Sequence, residues 1–162
     1  MKFKLTPALI GLIAGLLMAA IFIYGYVNRA NTKLPIELLA TVAYTTSIFL
    51  SVILFVRSAD YAIKFWDKFN IGFRSFIVSI LVMVLFTYVF NKMHPEFIEE
   101  SATMEKTRIT AEKSKTPDEV NKYVADYKKG YIPALISRTI FGYLIIGAAV
   151  TAVSAAFTNR RK

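Results

Sequence analysis

From Tyr131 to Phe157 the chain runs for 27 residues with one ionisable side chain, Arg138. A helix of that length crosses a hydrocarbon core of roughly 30 Å with some tilt. At about 100° per residue, Arg138, Gly142, Ala149, Ala152 and Ala156 share one stripe. Small residues on one face let helices approach closely in lipid, and a charge turned toward acyl chains costs at least ~2.5 kcal/mol. The expectation is a packed member of a helix bundle, with Arg138 facing its neighbours and paired there.

Three more apolar runs accompany this one, and 56% of the 162 residues are hydrophobic, against about 45–50% in a soluble domain. The reading is all-α: one polytopic membrane domain over 1–162, with transmembrane helices at 6–27, 35–56, 71–92 and 131–157. A helical extramembrane segment, 95–130, separates the last two. The formal charge of +9 does not point to nucleic acid, because the basic residues flank apolar spans rather than line a soluble recognition helix. They fit positive-inside anchoring and contact with membrane lipids. The sequence has no cysteine, which removes disulfides, thiolate metal sites, iron–sulfur clusters and thiol catalysis. The first apolar run is longer than the usual signal-peptide core and lacks a small-residue cleavage site, so it reads as a retained helix.

Local signals fill in the order. Gly11 and Gly15, flanked by Ala8 and Ala19, give the first helix a close-packing face. Pro35 suits the start of the second, where Glu37, Thr41, Tyr44, Ile48 and Ser51 form a mostly polar stripe suited to hydrogen bonds between helices. Arg57 to Arg74 mixes aromatic and basic residues, as at a headgroup boundary, and allows a short surface-lying helix. Gly72, Ser75 and Ser79 share a stripe of the third helix, which ends near His94-Pro95. Thr116-Pro117-Asp118-Glu119 reads as a helix start with a capping box. Val120, Tyr123, Val124 and Tyr127 follow at helical spacing; they form an apolar edge for the membrane surface, the bundle top or a partner. Lys128 and Lys129 suit a helix C-terminus, and Gly130 is the expected stop. Glu96 to Lys115 is a second helical candidate, so the segment reads as a solvated helical hairpin.

Lys and Arg density near helix ends places both termini in the cytoplasm and residues 93–130 in the periplasm. That topology gathers Glu37, Asn91, His94 and Arg138 in the outer part of the bundle. A direct or water-bridged Arg138–Glu37 pair is the leading expectation, since each otherwise bears a desolvation penalty. The alternative is contact between the Arg138 guanidinium and a phosphate. His94, the single histidine, has glutamates nearby but no second nitrogen ligand, so no metal site is expected. No GxSxG, P-loop, HExxH or paired intramembrane carboxylates occur. The sequence offers no catalytic residues and no cofactor, and an enzyme is not expected.

These features together resemble the four-helix membrane proteins of Bacteroidota grouped as domain of unknown function 4199. The resemblance rests on GLIAGLLMA in the first helix and on the basic connection into Gly72-Phe73-Arg74-Ser75-Phe76. It also uses Asn91 to Phe97 (NKMHPEF) and the closing Asn159-Arg160-Arg161-Lys162. It implies the fold, the topology and an inner-membrane address, and no residue-specific role. Two functions are consistent with all this. The first is a non-enzymatic accessory or scaffold subunit of a bacterial inner-membrane assembly, with a protein partner. The alternative is a small carrier or flippase-like protein for a lipid-linked or anionic substrate.

Overall fold

A computed structural model describes residues 6–28, 35–58, 64–112 and 116–158. Over these residues the chain forms five helices and no strand: α1 (Pro7–Val27), α2 (Ile36–Ser58), α3 (Phe65–Met93), α4 (Glu96–Glu112) and α5 (Pro117–Phe157). All but α4 are long and apolar enough to cross a membrane. Residues 1–5, 29–34, 59–63 within the aromatic–basic connection, 113–115 and the basic residues 159–162 lie outside the described residues.

The helix starts follow local chemistry. Thr6 caps α1, its hydroxyl accepting from the Leu9 N–H at 3.2 Å, with Pro7 next. Asp67 reaches back to accept the Lys64 N–H at 3.3 Å, so α3 begins at Phe65, six residues before the predicted 71. The aromatic–basic stretch is therefore in large part the first turns of α3 rather than a separate surface helix. The capping box of α5 is formed: the Thr116 N–H donates to the Glu119 carboxylate at 2.8 Å, and the Glu119 N–H lies 3.5 Å from the Thr116 hydroxyl.

The predicted stop at Gly130 does not occur. α5 is continuous for 41 residues, through Gly130 and through Pro133, about 60 Å at 1.5 Å per residue. Glycine and proline disfavour a helix interior by about 1 and about 3 kcal/mol respectively. Contacts to α4 on both sides of Gly130 oppose that tendency. Lys128 Nζ donates to the Glu99 carboxylate at 2.6 Å, and Ser101 Oγ donates to the Tyr131 hydroxyl at 3.2 Å.

Contacts group into two compact units: Met1–Val84 with Thr139–Lys162, and Leu85–Arg138. In the first unit, α1 and α3 run in the same direction, since Gly11 meets Ser75 and Gly15 meets Val82. α3 runs opposite to α5, since Lys68 bonds Thr158 and Phe76 meets Gly147. The buried side chains run from small to aromatic: Ala14, Met18, Ala40, Tyr44, Ile48, Val52 and Phe76. Leu16, Leu81 and Ile145 point outward instead. An apolar exterior around a partly polar interior suits hydrocarbon as the solvent, and the chain is a polytopic membrane protein.

The second unit holds the end of α3, α4 and the first half of α5. α4 and α5 form an antiparallel pair, with Glu105 accepting from the Tyr123 hydroxyl at 3.3 Å and Glu99 paired to Lys128. Ala102, Ile109 and Val120 fill the seam. Glu105 and Glu112 clasp Arg108 at 2.6 and 2.7 Å. The hydrogen bonds that Arg108 donates to Glu105, then the charges of Glu105 and Glu112, raise the Arg108 pKa above its ordinary value.

Candidate functional site

The centre of the first unit is where chemistry-bearing groups meet backbone at close range. α2 contributes Tyr44, Ile48, Ser51 and Val52 along one buried face. The Tyr44 hydroxyl donates to the Tyr143 carbonyl at 2.8 Å, and the two rings meet edge to face at 5.1 Å. That bond crosses α5 where Gly147 leaves room: a Cβ on Gly147 would strike the Tyr44 hydroxyl and come within 2.8 Å of Phe76. Gly72 does the same for α3, where a Cβ would lie 2.6 Å from Thr151 Cγ2 and 3.1 Å from Val52 Cγ2. Two turns further along the same stripe of α3, the Ser79 hydroxyl donates to the Gly11 carbonyl at 2.8 Å. Any Cβ on Gly11 would run into the Ser75 carbonyl. At these three crossings a glycine lets a neighbouring helix come close, by its backbone at Gly11 and by its side chains at Gly72 and Gly147, a mode of association that lipid favours.

At one end of this unit Lys68, 8% exposed, donates from Nζ to the Thr158 carbonyl at 2.5 Å. Thr158 closes α5, so the ammonium sits on the carbonyls that a helix leaves unpaired and on its negative pole. No spacing rule identified Lys68, because its partner is 90 residues away in sequence.

Other predicted site residues stand apart from this centre. Gly11 and Gly15 are buried contacts of α1 with α3. Gly142 and Ala149 lie on the exposed face of α5, Ala152 is half-buried, and nothing stands within 4 Å of a Cβ on Gly142. The expectation that this stripe packs inward is corrected: the buried face of α5 carries Gly147, Thr151, Ser154 and Ala155. Arg138, expected to face the bundle, is exposed. It precedes Gly147 by nine positions, a half-turn in net rotation, so the two sit on opposite faces. It also precedes Phe157 by 19 positions, about 28 Å of helix, which is nearly the whole hydrocarbon thickness. A guanidinium at that depth reaches the headgroups and needs no burial. The inward reading assumed a helix beginning at Tyr131, and α5 begins at Pro117.

The four-residue polar cluster resolves into local environments. Asn91 is buried and donates from Nδ2 to the Thr87 carbonyl at 2.8 Å. His94 Nδ1 lies 2.8 Å from Glu96 Oε1, with the ring 4.6 Å from that of Phe90. Glu37 is exposed at the start of α2 and belongs to the first unit, whereas Arg138 belongs to the second. The apolar edge of α5 turns to α4: Val120 is 5% exposed, Val124 and Tyr127 are half-buried, and Tyr123 bonds Glu105. Among the described residues, no group of three His, Asp or Glu is placed to hold a metal ion.

No curated protein and no solved structure matches the chain. Residues 9–160, nearly the whole length and every helix just described, match the family described as "Protein of unknown function (DUF4199)". The chain belongs to that family.

Proposed function

We propose that this protein is a non-enzymatic scaffold subunit of a bacterial inner-membrane assembly. Both termini and the α2–α3 connection lie in the cytoplasm, and the α4–α5 hairpin lies in the periplasm. The observation that carries the reading is the closeness of the helix crossings. Gly11, Gly72 and Gly147 leave no space even for a methyl group, which suits a fixed platform better than a bundle that must part to pass a solute. The outward stripe of α5 is the surface left for a neighbour in the membrane, with Gly142 open to it. Arg138 fits a structural role at the headgroup level, with a lipid phosphate as counter-charge.

Mild-detergent extraction from native membranes tests this reading. A partner at fixed stoichiometry should copurify, and Gly142→Trp should release it without changing the melting temperature of the purified chain. Recovery of the bare protein alone would sink the proposal. Transport of an anionic lipid, abolished by Arg138→Ala in proteoliposomes, would replace it with the carrier reading.

A further inference from the structure

We infer that Ser51, Ser75 and Thr151 hold a water molecule between α2, α3 and α5, beside Gly72. All three side chains are fully buried, and none of their hydroxyls has a hydrogen-bond partner among the described residues. Hydroxyls in apolar helices ordinarily return to the carbonyl one turn back, and others in this unit do so. Ser79 bonds Ser75 O at 3.2 Å, Ser154 bonds Val150 O at 2.7 Å, and Thr45 bonds Thr41 O at 3.0 Å. Ser51, Ser75 and Thr151 forgo that bond.

The approaches to Gly72 bring α2 and α5 to one level of α3. Thr151 and Val52, the neighbour of Ser51, both approach Gly72, where a Cβ would come 2.9 Å from the Thr151 hydroxyl oxygen. Ser75 lies one turn further along the buried face of α3. Three hydroxyls drawn from three helices offer three donors and several lone pairs, within the two to four bonds that a buried water makes. The set does not suit a metal cation. It carries no carboxylate, and hard cations require about six oxygen ligands. The inference is independent of the scaffold reading, since a sealed bundle and a carrier could each hold a water.

Water-edited solid-state NMR on the full chain in lipid bilayers tests it without any substitution. Magnetisation should pass from water to Gly72, Ser51 and Thr151 while Ile48 and Phe76, equally buried, stay unlabelled. In Ser51→Ala the transfer to Gly72 should fall at least twofold and the melting temperature should drop by about 2–4 °C, because one partner of the water is lost. Transfer to Gly72 no faster than to Ile48 would overturn the inference. So would a rise in melting temperature in Ser51→Ala, which is the response of a hydroxyl that is merely unsatisfied. A melting temperature that depends on sodium against choline at equal ionic strength would also overturn it, by assigning the site to a cation.

Discussion

Adding one methyl group at Gly11 and one at Gly142 should have opposite effects, although both positions are glycines in apolar helices. At Gly11 the new Cβ meets the backbone carbonyl of Ser75. A backbone atom cannot rotate aside as a side chain can, so α1 must move away from α3. Overpacking of this kind costs about 1–3 kcal/mol. The shift also breaks the 2.8 Å bond from Ser79 Oγ to the Gly11 carbonyl, and such bonds between helices in membranes contribute about 0.6–1.7 kcal/mol. Gly11→Ala should therefore destabilise by about 2–4 kcal/mol, less whatever alanine gains over glycine in helix propensity, up to about 1 kcal/mol. At Gly142 nothing lies within 4 Å of the new atom, so only the propensity gain acts. Gly142→Ala should be neutral or more stable by up to about 1 kcal/mol. Unfolding of the purified protein in mixed micelles, followed by circular dichroism, measures both. Equal responses, or a larger loss at Gly142, would refute the assignment of which face of which helix is packed.

Tyr44→Phe keeps the ring contact with Tyr143 and removes the bond to its carbonyl, so a loss of about 0.5–1.5 kcal/mol is expected in the same unfolding assay. Lys68→Met should leave the bundle assembled but speed amide exchange in the last turn of α5, by the equivalent of about 0.3–2 kcal/mol. Unchanged exchange there would mean that the ammonium does not support the helix end. In the hairpin, Ile109→Ala should cost about 2–5 kcal/mol in local opening by hydrogen exchange, since Ile109 is 2% exposed. Lys128→Ala, which removes an exposed pair with Glu99, should cost less than about 1 kcal/mol, and that cost should shrink at high salt.

Four membrane crossings, the break at His94-Pro95 and the capped start of α5 followed from the amino acids alone. Each rests on interactions within a few residues: a run long enough to span hydrocarbon, a proline that disfavours helical geometry before it, a hydroxyl and a carboxylate three positions apart. The face that each helix buries did not follow in the same way. α5 carries small residues on two stripes, and both satisfy the rule for close packing. Tyr44 and Phe76 select the Gly147 stripe, and both come from other helices. Gly130 has the same lesson. Its local tendency to end a helix is real, yet α5 runs through it, with Lys128 and Tyr131 bonded to Glu99 and Ser101 of α4 on either side. Arg138 was misplaced because its depth depends on where α5 begins. The helix extends to Pro117, and Arg138 is exposed on it. Contacts between residues 90 or more positions apart, such as Lys68 with Thr158 and Tyr44 with Tyr143, leave no mark in spacing or composition. Only the packed arrangement brings those groups within hydrogen-bonding distance.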